Sequence, residues 1–473
     1  MKKIVAIVLS VFSCFALAGC REIANDLLGT GFVNNIWGEE SVDESELEWT
    51  EVSTFEELDN ATGNIRLTAD IDCDYEMMKP IGCSRFDGQG FTIKNSVVDG
   101  ASLFAASKII DVTLDNVTVQ KGNVLSEQYG KTQSAGIVSY WGGGIENVTV
   151  RNSKLTCTVA SEVELDCYVG VISGRAGSVS NCLVENVTVE VKGQTDAEIH
   201  VGGLVGGESA NISDCTVKNS VITVTSLDRD CNVYVGGIAG HVSGTVKNCV
   251  SKNNKINANA NKMQGALNGS QAYAGGVAGR IYGEESMMEC CGAQDNEINV
   301  SSSGKVRGGG LCAVAYQATV TECYAANNTV IAGDEVTDEI KLFMAMRTLG
   351  GLIGYVADST VQSSFAIGNT CTENSKKTEE EYSMSGGIIG ESSNSAVSYC
   401  AALNNTLAAV TNDDFCPQEL GELFGCYITT ETNGNVNGCE VVDESFWHSE
   451  DTIKTKLNLL SSNWKYGEEY PHF

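Results

Sequence analysis

The sequence predicts an all-β protein, a right-handed parallel β-helix (a β-solenoid) of about ten coils with a cap at each end. Three observations predict it. First, the anchor positions Val112, Val148, Cys182, Cys215, Cys249, Cys291, Cys323, Ser364, Cys400 and Cys439 recur about every 34 residues, mostly after a Val or Ile three residues earlier. A second column lies four residues beyond each anchor: Asn116, Asn152, Asn186, Asn219, Asn253, Asp295, Asn327, Gly368, Asn404 and Asp443. Two columns locked together while the intervening lengths drift mark stacked units that bury their apolar faces against their neighbours. Second, the repeats alternate with β-branched residues, as in Val217-Lys218-Asn219-Ser220-Val221-Ile222-Thr223-Val224-Thr225, and hold no helical stripe. Third, the only prolines are Pro80, Pro417 and Pro471, so repeat strands keep their backbone donors. A repeat of this length holds three short strands and their turns, with polar insertions such as Asn257 to Gln271 and Gly333 to Lys341 bulging from one turn.

Taken in order, residues 1–19 read as an export signal, with Lys2 and Lys3 ahead of the apolar Ile4–Leu17 run. Leu17-Ala18-Gly19-Cys20 resembles the lipobox of bacterial lipoproteins; by that resemblance Cys20 becomes the lipidated N-terminus and tethers the protein to a membrane without spanning it. Arg21 follows, not the aspartate associated with inner-membrane retention in some Gram-negative bacteria, so the expected place is the outward-facing cell surface. Residues 20–51 are acidic and poor in apolar groups, which predicts a solvated tether. The formal net charge of −31 argues against nucleic acid and anionic lipid surfaces as partners. Residues 52–104 should form the N-terminal cap and first strands, with Ser53-Thr54-Phe55-Glu56 as a helix capping box and Phe55 and Leu58 as its apolar face. Residues 105–443 carry the repeats. Residues 444–473 should cap the far end with Phe446, Trp447, Leu457, Leu459, Leu460 and Trp464.

Leu67-Thr68-Ala69-Asp70-Ile71-Asp72, Pro80-Ile81-Gly82, Phe86-Asp87-Gly88-Gln89-Gly90-Phe91-Thr92-Ile93 and the later Gly-Gly runs resemble bacterial surface proteins with GLUG-motif repeats. The resemblance covers nearly all of the chain after the tether and implies a repeat architecture. Related repeats accompany immunoglobulin-cleaving metallopeptidases, adhesins and lipoproteins. The peptidases carry H-E-x-x-H; the histidines here, His200, His241, His448 and His472, form no such pair, so the resemblance brings no peptidase activity.

In stacked coils equivalent residues lie roughly 4.8 Å apart. The asparagine column should then sit at a turn, in left-handed backbone, with amides bonding along the stack. The double glycines mark a corner where a side chain would clash or where φ is positive. Setting aside Cys14 and Cys20, seventeen of the nineteen cysteines remain, an odd number. Those in the anchor column, Cys182, Cys215, Cys249, Cys291, Cys323, Cys400 and Cys439, read as stacked buried thiols, since Val112, Val148 and Ser364 share the column. Disulfides between rungs and a metal or redox role are the other readings, with the vicinal Cys290-Cys291 pair the best place for unusual chemistry. No C-x-x-C occurs, so no metal or cofactor is expected.

Tyr168, His200, Tyr234, Tyr273 and Arg307 occupy one column just before the double glycines. Facing outward they would make a stripe for stacking on sugars or meeting a protein; facing the other way they would pack a corner. The leading expectation is a non-catalytic surface lipoprotein whose solenoid binds a glycan or a protein of a host or neighbouring cell. A polysaccharide lyase or glycosidase is the enzyme alternative, with Asp70, Asp72, Asp74 and Asp87 or Glu162, Glu164 and Asp166 as its carboxylates. A structural envelope component is the third.

Overall fold

One coil shows how the repeat becomes a fold. It runs through Ile199–Gly202, Val205–Gly207, Asn211–Ser213, Thr216–Lys218 and Val221–Ser226, and the next repeats the order from Asn232–Gly236 to Lys255–Ala260. Every pairing between the two is parallel and in register: Ile199 with Val233, Val205 with Ala239, Ile212 with Val246, Thr216 with Val250, Val221 with Lys255. Across the chain the first strands stack into a 10-stranded sheet, the last into an 11-stranded sheet, and the middle three into one 32-stranded sheet. The protein is a parallel β-helix. Its coil holds five short strands where three were expected: left-handed Asp214 (φ 55°) bends the middle sheet between Asn211–Ser213 and Thr216–Lys218, and Asn219 (φ 53°) turns the chain from that sheet into the last strand. The computed structural model describes residues 47–472, with breaks at 121–123, 127–131, 160–165, 194–196, 208–210, 227–230, 261–269, 334–345, 375–381, 409–410, 414–415, 417–421, 429–438, 443–445, 447–448 and 467–469. The export signal, Cys20 and nearly all of the acidic tether lie outside the described residues, as do most of the two insertions.

The expected boundaries shift at both ends. Trp49–Val52 is already a strand, so the predicted tether ends before residue 51. The stretch read as a cap and first strands over 52–104 is mostly narrow coils of the same helix: Ile65 pairs with Phe86, Phe86 with Ile109, and Ile71 with Ile93, all in parallel. Helix α1 (Phe55–Asn60) adds Leu58 to the core. Its capping box is Thr54 with Glu57, one residue later than Ser53 with Glu56, because Thr54 holds the extended backbone of an N-cap (φ −131°, ψ 161°). Glu57 also accepts from Ser53.

At the far end, the step from Cys400 to Cys439 spans two rungs, since Ala401 pairs with Tyr427 and Cys426 with Cys439. Residues beyond the last rung lie against the side of the solenoid. Helix α2 (Glu450–Lys456) is N-capped by Ser449, and Phe446, Ile453, Leu457, Leu459, Trp464 and Tyr470 pack on Tyr324, Phe365, Ala401, Leu403 and Tyr427. The strap reaches farther back still, with Asn463 donating to Asn248 at 3.1 Å. Leu460, expected in this cap, is 79% exposed; Trp447 lies outside the described residues.

The columns divide the scaffold work. From Asn116 to Asn404 every described member of the asparagine column has left-handed backbone, with Gly368 (φ 63°) at the same place. Three of its amides bond outward along the stack, Asn116 to Asn95, Asn152 to Asp115 and Asn186 to Asn152. The longer amide ladder is one residue farther on and points inward. Asn254, Asn296, Asn328 and Asn369 each donate at 2.9–3.0 Å to the next rung's Oδ1, and Asn405 accepts the last of these bonds. In earlier coils Ser153 and Ser220 accept the neighbouring backbone N–H at the same position.

None of the seventeen described cysteines is in a disulfide. Cys182 N–H points at Cys215 Sγ (3.4 Å), while Cys323 N–H donates to Ser364 Oγ (3.0 Å), so sulfur and hydroxyl do the same job in one column. Burial pushes Cys312 and Cys371 up to about 12, which keeps them as unreactive thiols. Cys290 occupies a left-handed corner (φ 53°) and its thiol bonds with Ser461 of the strap; the vicinal pair is a corner residue followed by an anchor.

Candidate functional site

The glycine runs build a tight arch between the first two strands of each coil. A Cβ on Gly202 would lie 2.0 Å from Val205 O, and one on Gly206 2.3 Å from Val169 N, so both glycines serve close approach. Two strands thus lie backbone against backbone, and side chains just beyond the contact are forced together.

Tyr168, His200, Tyr234, Tyr273 and Arg307 are in register on one side of this arch. Their rings stack at 4.8, 5.0 and 4.7 Å, tilted by only 11–13°. Their alternation does turn them away from the core, where Val169, Val201 and Val235 point, but the second strand of the arch folds over them. Arg175 covers Tyr168, His241 meets His200 edge-on at 5.2 Å, and Arg280 lies 5.4 Å from the Tyr234 ring. Exposure falls to 8%, 1%, 6% and 5% for Tyr168, His200, Tyr234 and Tyr273. An open stacking stripe was one expectation for these residues; they form a closed stack.

The open aromatic surface is on the covering strand. Tyr282 is 38% exposed and stacks on Tyr316 at 5.4 Å, with the Arg280 guanidinium 4.5 Å from the Tyr282 ring. Beside it, Arg307 lies 3.5 Å over the half-buried Tyr355 and pairs with Glu391 at 3.3 Å. Sequence reasoning passed over Tyr282 and Tyr316. Their signal was available: each lies two residues beyond an arch position, Arg280 or Val314, on the same alternation.

Below the ring stack runs a polar column, Asp166, Glu198 and Asn232, two residues before Tyr168, His200 and Tyr234. Glu198 is its hub. Its carboxylate receives His200 Nε2 and Arg280 at 3.3 and 3.6 Å, and Asn232 and the Tyr234 hydroxyl at 3.3 Å each. Burial pushes the Glu198 pKa up, but the His200 hydrogen bond and charge, then Asn232 and Arg280, outweigh it and hold it at about 2. Burial, followed by His200 and Arg280, depresses His241 to about 3.

Of the carboxylates considered for catalysis, Asp70, Asp72 and Asp87 are spent on corners. Asp87 is buried with Arg66 and Gln89, Asp70 accepts Thr92 N–H, and Asp72 holds Lys94, Asn95 and the backbone of Asp74. Glu162 and Glu164 lie outside the described residues. No helix among the described residues is long and apolar enough to cross a membrane.

Fold and site together define a parallel β-helix with a polar, aromatic arch along one edge. Among solved structures, the chain is similar to the Streptococcus pneumoniae surface protein and adhesin PfbA, at 13% identity and a TM-score of 0.31, covering 80% of this chain and 90% of that one. It is also similar to a candidate immunoglobulin A1 protease from Bacteroides ovatus, at 15% identity and a TM-score of 0.25, covering 89% and 91%. No family model and no curated protein matches the chain.

Proposed function

We propose that this protein is a non-catalytic cell-surface lipoprotein, anchored through Cys20, that captures a glycan or protein ligand on the Tyr282–Tyr316–Tyr355 face of its solenoid. The observation that carries the reading is the stack of the exposed Tyr282 on the half-buried Tyr316, with the Arg280 guanidinium over the Tyr282 ring. Stacked phenol rings give an apolar, weakly polar-rimmed surface that suits a pyranose face or an interface anchor, at a small entropy cost because neighbouring rungs already fix the rings. Arg280 and Arg307 add directed donors at its margin.

A glycan array and a panel of host-surface proteins probed with the full-length protein test the reading. Binding that survives in the wild type and is lost in a Tyr282→Ala, Tyr316→Ala double variant of unchanged melting temperature supports it. Reducing-sugar release from any bound polysaccharide would instead place the protein among enzymes. Labelling with a lipid precursor, lost on Cys20→Ala, tests the anchor.

A further inference from the structure

We infer that Asp166, Glu198 and His200 form a site for one divalent transition-metal cation of the zinc class. The donor atoms of the three side chains lie within 4.8 Å of one another. They come from two adjacent rungs: Cys167 pairs with Ile199, so Asp166 stacks directly beneath Glu198. Elsewhere the chain sets opposite charges on neighbouring rungs, as in Lys154–Glu190, Lys218–Glu185, Lys247–Glu289 and Lys255–Glu297. At Asp166–Glu198 two carboxylates stack instead, with Asp166 Oδ1 accepting Glu198 N–H at 3.1 Å and the basic partners His200 and Arg280 on Glu198, an arrangement that a cation shared by both carboxylates would relieve.

The third donor is a histidine that the protein leaves half satisfied. His200 is 1% exposed, and its Nδ1 is buried with no hydrogen-bond partner. Its Nε2 faces Glu198 Oε2, while Asn232 and Tyr234 occupy Oε1 and fix the carboxylate's orientation. The remaining contact on Oε2 is Arg280 at 3.6 Å, too long for a direct hydrogen bond, and its guanidinium already rests on Tyr282. A cation entering from the half-exposed Glu198 side releases Arg280 to that ring. One imidazole and two carboxylates suit zinc, cobalt or manganese better than calcium, which takes six to eight oxygens. Sequence spacing could not suggest this site, because the two carboxylates are a whole coil apart and become neighbours only by stacking.

The test uses the full-length protein stripped with chelator and titrated with Zn²⁺ and Co²⁺. The expected result is one equivalent bound, a raised melting temperature, and a weak cobalt d–d spectrum without a thiolate charge-transfer band. Glu198→Gln and Asp166→Asn each weaken binding about tenfold or more. His200→Gln removes the site too; the two carboxylate variants keep the question open to test should it fail to fold. No uptake overturns the inference. So does uptake unchanged in both carboxylate variants, a thiolate band that moves the metal to the cysteines, or preference for calcium over zinc.

Discussion

Trp464 donates its indole N–H to Glu322 at 2.9 Å across 142 positions of sequence, and Ser461 N–H shares the same carboxylate oxygen at 2.8 Å. The contact closes the strap on a corner that other rungs fill with Asn, Asp, Cys, Ser or Tyr. Glu322→Ala should cost about 1–3 kcal/mol, since it orphans the buried indole N–H and the part-buried Ser461 N–H. Glu322→Gln, which keeps an acceptor, should cost less. Trp464→Ala should cost about 3–5 kcal/mol, because the ring fills the space over Tyr324 and Phe365. Urea unfolding of the three variants checks the order.

The arch depends on missing side chains. Gly206→Ala places a methyl against the backbone of Val169 and should prevent closure of that coil, read as loss of soluble protein or a large drop in melting temperature. Gly144→Ala is the control: its nearest neighbour is Ser178 Oγ at 3.5 Å, and stability should change by less than about 1 kcal/mol.

The inward amide ladder predicts a graded series. Asn328→Ala removes the acceptor for Asn296 and the donor for Ala293 O, and should cost more than about 2 kcal/mol. Asn328→Ser retains one acceptor, as Ser220 does in its own coil, and should lose less. Equal losses would sink the ladder's role.

Acid should weaken the arch in two overlapping windows. His241 has a folded pKa of about 3 against an ordinary 6.5, so the unfolded chain takes up its proton first. Its contribution is complete above pH 6.5 and is lost as pH falls from 6.5 to 3. Glu198, at about 2 against 4.5, contributes fully above pH 4.5 and loses that contribution as pH falls from 4.5 to 2. Thermal melts across pH should show His241→Phe with a flatter decline between pH 6.5 and 4.5, and Glu198→Gln with a flatter decline below 4.5.

The repeat scaffold was legible where residue type and backbone demand coincide. Asn alternating with Gly368 announces left-handed backbone, and Cys alternating with Val and Ser announces a small buried position. The second left-handed column, immediately before each anchor, hid itself by drifting through Asp214, Asn248, Cys290, Glu322, Ser363 and Tyr399, all at φ between 50° and 55°. Register imposes the conformation there whatever the side chain. The ring column was also legible as a set, with corner packing among its expected roles, but what covers it was not, because the cover is a second strand folded back by glycines. Tyr324, Phe365 and Tyr427 read as ordinary strand residues; only the strap explains why one stretch of solenoid wall is apolar on its outside.

A stack held by nearest neighbours alone comes apart from its free end, one layer at a time, and a proteinase needs only the first loose layer. Here the last layers are stitched to ones laid down far earlier. The strap runs past Tyr427, Phe365 and Tyr324 to Asn248, so releasing the final coil means releasing several together. The tail converts gradual fraying into a single, higher barrier.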